Sequence, residues 1–230
     1  MNINVGNESQ LDLVLGTMFS SKTTHTLIKA TKLAELNYEI LYINSDKDKR
    51  SDFAFSCHNP LFKAHNNFES NEPIIKNIQM IKTKKLMNLD ITGKDVIIID
   101  ETHFFDKPND LTGFVEKCLD ENKYVIAIGL IGDADGNKFG KILDLVPLCT
   151  NIERLHAYCS ECAKDKICRI AVYSKCIVES DGIVNVGGSE KYIPVCRKHY
   201  KENNKKIVKI HEEQTNVPDK NKQENIIIVK

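Results

Sequence analysis

The chain lacks any excess of charge, any long apolar run and any internal repeat, and each absence removes a class of protein. Its 32 Lys and Arg are cancelled by 32 Asp and Glu, so composition gives no support to a nucleic-acid or polyanion binder. The longest apolar runs, such as Val96–Ile99, are far too short to span a bilayer. The opening Met-Asn-Ile-Asn-Val-Gly has neither the basic start nor the apolar core of a secretory signal, and Gly6 is out of place for N-myristoylation. No similarity recurs at a period of about 20–50 residues, which argues against a solenoid. The expectation is a cytoplasmic protein with neither nucleic acid nor a membrane as partner.

What is present suits an ordinary globular protein: 230 residues, 41% hydrophobic and 28% charged. That length supports one well-buried core and a small appended module. Short apolar segments at 11–15, 40–44, 95–100 and 123–130 read as strands buried on both faces. They alternate with helical patterns at 22–36, 72–89 and 109–122. The expected fold is therefore α/β: a parallel sheet covered by helices, forming a phosphate-loop nucleotide-binding domain over residues 1–148. Residues 46–71 read as a long polar excursion. After Pro147 the texture changes to short β-like segments at 170–178 and 183–195 around a Glu179–Gly182 turn, giving a zinc-ribbon-like module over 149–200. Residues 201–230, rich in Lys, Asn, Glu and Gln, read as a polar, disordered tail.

Three constellations carry chemistry. Gly16, Thr17, Met18, Phe19, Ser20, Ser21, Lys22 and Thr23 nearly match the phosphate-loop pattern, with Ser21 where its second glycine belongs. Backbone N–H groups of such a loop curve around phosphates at a helix N-terminus. Lys22 would then contact the β- and γ-phosphates of ATP, and Thr23 would ligate Mg²⁺. The third strand runs into Asp100 and Glu101. Asp100 suits a Mg²⁺ ligand opposite the loop, and Glu101 a general base on a hydroxyl nucleophile. Finally, Cys159-x-x-Cys162 and Cys196-x-x-His199 supply three thiolates and an imidazole, the donor set of a closed structural Zn²⁺ site. A redox Cys-x-x-Cys is the alternative, and it leaves the second pair unexplained.

Taken in order, these motifs resemble the type II thymidine kinase family, zinc-containing enzymes of animals, bacteria and large DNA viruses. The resemblance covers roughly residues 10–200. Beyond the loop, Asp48-Lys49-Arg50 is similar to the family's Asp-x-Arg, followed by Ser56 and His58. Asp100–Phe105 is similar to Asp-Glu-x-Gln-Phe-Phe, and Gly129–Gly140 to its Gly-Leu-x-x-Asp-Phe-x-Gly-x-Pro-Phe-Gly. Leu145–Leu148, Gly187-Gly188 and Tyr192 follow in register.

The resemblance implies phosphorylation of the thymidine 5′-hydroxyl by ATP, with deoxyuridine as a related substrate, a homotetramer and feedback inhibition by thymidine triphosphate. It implies that Glu101 is the base, that Arg50 neutralises phosphate charge and that Asp48 organises the same loop. Met18, Leu130, Ala134, Ser174 and Tyr192 would line the thymine pocket. A segment over 180–192, including Val186, Gly187 and Gly188, would close over the base. Ser21 stands where the family carries glycine, and Ala134 where it carries the aromatic that stacks on thymine. Ile131, Lys138 and His103 depart as well. Two rivals stay open: a homologue that has lost turnover and binds a nucleotide or a protein, and a generic phosphate-loop ATPase with a zinc ribbon.

Overall fold

The computed structural model describes residues 8–48, 76–105, 107, 110–178 and 190–202. Arg50, Ser56, His58, Val186, Gly187 and Gly188 lie outside the described residues, as do most of the polar excursion and of the tail.

Six strands form one parallel sheet: β1 (Gln10–Gly16), β2 (Ile40–Ser45), β3 (Ile78–Thr83), β4 (Val96–Ile99), β5 (Tyr124–Leu130) and β6 (Asn151–Leu155), in the spatial order β3-β2-β4-β5-β1-β6. Helix α1 (Lys22–Glu35) follows β1, and α2 (Leu111–Asp120) leads into β5. The continuous apolar runs read from the sequence are explained by the side-chain alternation of a strand. Val96 and Ile98 enter one core with Val14, Leu27, Ala30 and Leu33 of β1 and α1. Ile97 and Ile99 enter the other, with Phe114, Val115 and Cys118 of α2. Each fully buried aliphatic side chain contributes about 1.5–3 kcal/mol, so β4 anchors both layers. Cys118 lies inside this second core, where burial pushes its thiol up to about 12.

The helix expected over 72–89 is corrected by the structure. Ile78–Thr83 is an edge strand paired in parallel with β2, Ile40 opposite Ile78 through Ser45 opposite Thr83. The apolar spacing of Ile78, Met80 and Ile81 fits a helical stripe, but one open edge of β2 offers a full backbone ladder. Satisfying those buried N–H and C=O groups outweighs a weak local preference. Strand β6 also goes beyond the sequence reading: it pairs with β1, Asp12 opposite Asn151 through Gly16 opposite Leu155. The division expected at residue 148 therefore falls ahead of a strand that belongs to the large sheet.

Beyond β6 the chain makes two small antiparallel ladders. One joins β7 (Ala157–Tyr158) to β8 (Ile170–Ala171), and the other joins β9 (Tyr173–Cys176) to β10 (Tyr192–Val195). A single turn of helix, α3 (Ser160–Lys164), separates β7 from β8. Cys159, Cys162, Val195 and Cys196 form its small core, with Tyr173, Ile193 and Tyr200 packed against it. Among the described residues, no helix is long and apolar enough to cross a membrane.

The two-layer core makes a direct prediction. Ile98→Ala should cost about 2–5 kcal/mol, whereas Ile28→Ala, at a half-exposed position on α1, should stay within about 0.5 kcal/mol. Denaturant midpoints of the two variants check the difference.

Candidate active site

Because every strand of the sheet is parallel, their C-terminal ends share one edge, the edge at which open α/β sheets bind ligands. Among the segments that emerge there are 17–21 after β1, 46–48 after β2, 100–105 after β4 and 131–138 after β5.

The first is a tight turn from β1 into α1. Gly16 is required at its entrance, because a Cβ there would lie 2.6 Å from the Leu155 carbonyl oxygen and collide with Ser20. Ser20 Oγ donates to the Thr17 carbonyl at 2.8 Å, and Lys22 Nζ folds back to the same carbonyl at 2.7 Å. Phe19 and Ser21 both take left-handed backbone conformations, with φ of 62° and 60°. Ser21 therefore occupies a position that a glycine fills without steric cost, and the Cβ costs roughly 1–2 kcal/mol. His25 N donates to the Ser21 carbonyl at 2.9 Å, so helical hydrogen bonding begins at this strained residue.

The acidic strand end faces this turn. Asp100 is buried, and its Oδ2 accepts from Thr23 Oγ1 at 3.1 Å and from Tyr42 Oη at 2.5 Å. Its Oδ1 accepts the Glu101 backbone N–H at 2.8 Å. Thr23 of α1 and Asp100 at the end of β4 are thereby brought together. Glu101 has a left-handed φ of 51°. Left-handed non-glycine residues in a functional region hold strain of about 1–3 kcal/mol that the surroundings must maintain. Its carboxylate lies 3.4 Å from His103 Nε2, and His103 stacks on Phe139 with ring centroids 4.6 Å apart. Asp48 is buried at the end of β2, where its carboxylate accepts from Asn44 Nδ2 at 3.2 Å and its carbonyl from Lys82 Nζ at 2.8 Å.

Beside the turn lies a cavity of about 370 Å³, bounded by Gly16 and Thr17, the 131–138 loop, Arg154, and Val172 to Ser174. That volume is in the range of small-ligand sites. Ser174 Oγ accepts the Met18 backbone N–H at 2.8 Å, which ties the small module to the turn. Of the other residues expected around thymine, Leu130 ends β5 opposite Gly16, Ala134 sits in the loop after it, and Tyr192 pairs with Cys176. None of these three forms the cavity wall. Ile131, Asn137, Tyr173 and Arg197 do; sequence reasoning noted Ile131 as a departure and did not select the other three. Tyr42 was also missed; an aromatic hydroxyl inside an otherwise aliphatic strand was the available signal.

The four donors of the small module converge. Cys159, Cys162 and Cys196 Sγ and His199 Nδ1 all lie within 4.8 Å of one another. A tetrahedral zinc, with Zn–S of about 2.3 Å and Zn–N of about 2.0–2.1 Å, demands edges of about 3.8 Å between sulfurs and about 3.5 Å from sulfur to nitrogen. The Cys162 and Cys196 sulfurs are 3.9 Å apart, and His199 Nδ1 is 3.3, 3.5 and 3.5 Å from the three thiols. Burial acts to raise the Cys159 thiol, but backbone groups of Cys162 and Cys196 and the His199 ring outweigh it and lower it. Burial and the two neighbouring thiols push Cys162 up. The donor set fits a tetrahedral divalent metal.

The geometry defines an α/β protein with a phosphate-loop-like turn facing a buried acid, and with a cysteine–histidine cluster in an appended module. The thymidine kinase family model matches residues 9–200. The thymidine kinase of Choristoneura fumiferana entomopoxvirus is 33% identical over 198 residues, covering 84% of this chain and 97% of that protein. Those of vaccinia virus (strain Ankara) and sheeppox virus are 31% and 34% identical, covering 84% and 83% of this chain and 98% and 96% of theirs. The chain belongs to the thymidine kinase family.

Ser21 supplies a test of the turn. Ser21→Gly is expected to leave stability unchanged or raise it by up to about 1 kcal/mol, because relief of strain offsets the added chain entropy. Ser21→Val, β-branched at positive φ, should instead lose stability. Thermal unfolding of both variants reads the sign.

Proposed function

We propose that the protein transfers the γ-phosphate of ATP to the 5′-hydroxyl of thymidine. The observation that carries this is the Thr23–Asp100 hydrogen bond of 3.1 Å. It joins the phosphate-loop-like turn to the acidic strand end in a single site. Family membership supplies the reaction class, a nucleoside kinase.

The backbone N–H groups of residues 19–21 and the start of α1 would bind the ATP phosphates. Lys22 now rests on the Thr17 carbonyl, and it would exchange that partner for the β- and γ-phosphates. Thr23 and Asp100 present the oxygen donors that a magnesium ion takes, and Mg²⁺, when bound, supplies positive charge to the phosphates. Arg50 would add a further positive charge, with Asp48 ordering its loop. The nucleoside would occupy the cavity beside the turn, with Ser174 in its wall; Met18, Leu130, Ala134, Tyr192 and the 186–188 segment, which the resemblance places around the base, would border it. The thymidine 5′-oxygen attacks the γ-phosphorus in line as its bond to the β–γ bridging oxygen breaks. Glu101 takes the hydroxyl proton, and ADP leaves.

The cysteine–histidine cluster would hold zinc. With four protein donors, such a site would be structural and would have no open position. The reading carries with it the homotetramer that the resemblance implies and the cytoplasmic location expected from the sequence. Ser21, Ile131 and Ala134 bear on efficiency. Loss of an aromatic contact at Ala134 would cost about 0.5–1.5 kcal/mol, roughly two- to thirteenfold in kcat/KM, with the reacting groups all retained.

A coupled ADP-release assay with thymidine, deoxyuridine and deoxycytidine tests the reading. Thymidine-dependent turnover is expected, and Glu101→Gln should lower kcat by about 10²- to 10⁴-fold. Nucleoside-independent ATP hydrolysis would point to the generic ATPase instead, and no turnover with any nucleoside to the binding homologue. Cys162→Ser should lose bound zinc and lower the melting temperature; metal analysis and calorimetry measure both, and unchanged values would remove zinc from the account.

A further inference from the structure

Tyr200 follows His199 of the cysteine–histidine cluster, yet its side chain reaches the loop after β5. Its Oη donates to the Ala134 carbonyl at 3.1 Å. Its ring stacks on Tyr173, with centroids 4.1 Å apart and planes 12° from parallel. The Arg197 guanidinium lies 5.8 Å from the Tyr173 ring. The loop backbone rests against this aromatic pair. A Cβ on Gly136, whose φ is +81°, would meet Tyr173 Cε1 at 3.3 Å and Tyr200 Oη at 3.5 Å.

The loop itself is internally braced. Asp133 Oδ1 accepts the N–H groups of Asp135 and Asn137 at 3.0 and 2.8 Å, and Gly132 pairs with Lys138. A turn braced in this way is placed by its outside contacts: Lys138 Nζ meets Asp144 Oδ1 at 3.3 Å, Phe139 stacks on His103, and Tyr200 holds the Ala134 carbonyl at the apex. Gly132, Asp133, Gly136 and Asn137 of this turn form one wall of the cavity, and Tyr173 forms part of another.

We propose that Tyr200 is a positioning residue for nucleoside binding: it holds the 131–138 turn against Tyr173 and so sets the cavity width from the metal cluster. This rests on the reading of the cavity as the nucleoside site. Tyr200 touches no reacting atom; it acts through the Ala134 carbonyl. Integrity of the metal cluster thereby becomes a determinant of nucleoside affinity as well as of stability.

Tyr200→Phe removes the hydroxyl and keeps the stacked ring. A lost neutral hydrogen bond predicts a rise in the thymidine KM of about three- to tenfold, with kcat, the ATP KM and the metal content unchanged. A purely structural tyrosine would lower thermal stability and leave the thymidine KM alone. Ile131→Trp, which fills the cavity, separates the two readings. A raised thymidine KM in Ile131→Trp with none in Tyr200→Phe overturns the positioning role and leaves the cavity reading standing. No rise in either variant overturns both. A rise in Tyr200→Phe confined to the nucleoside supports the proposal.

Discussion

The Asp100 carboxylate is the interaction on which the site depends. A buried carboxylate is tolerated only when its lone pairs are satisfied, and here three elements satisfy it. Tyr42 reaches it from β2, Thr23 from the first turn of α1, and the Glu101 N–H from its own strand end. Hydrogen bonds to a charged group contribute about 1.5–3 kcal/mol each. The network that stabilises the negative charge therefore also fixes the start of α1 relative to β4. Strain at Ser21 and Glu101, both at positive φ, is held in place by that frame.

A second constraint comes from the module after β6. It is joined to the sheet edge by polar contacts: Ser174 to the Met18 N–H and Tyr200 to the Ala134 carbonyl. Among the described residues, its own core is Val195 with three cysteines, Cys159, Cys162 and Cys196. So small a cluster supplies little apolar burial, and small domains of this kind are commonly stabilised by a metal. Donors at tetrahedral spacing are what such a module needs to hold two ladders together. The cavity lies where this module meets the strand ends, so its shape depends on both.

Much of this was legible in the sequence, for identifiable reasons. Val96–Ile99 is apolar at every position because both faces of β4 are covered, and a run of that kind is readable without a structure. The cysteine and histidine pairs were readable because ligand spacing is local. Ile78–Thr83 was misread because an edge strand has one half-covered face and a weak period, and its pairing partner is distant in sequence. Strand β6 was hidden for the same reason: its pattern is mixed polar and apolar, and only β1 makes it a strand. The cavity walls at Ile131, Asn137, Tyr173 and Arg197 carry no spacing rule at all. They are neighbours only after two separate chain reversals.

The most direct measurement is a crystal structure of the protein with thymidine and a non-hydrolysable ATP analogue. The account predicts thymidine in the cavity bounded by Gly16, the 131–138 turn and Ser174, the analogue's phosphates on the 16–22 turn, and the thymidine 5′-oxygen within about 2.6–3.2 Å of the Glu101 carboxylate. A nucleoside bound elsewhere, or a Glu101 still turned to His103 and out of reach of the 5′-oxygen, would contradict it.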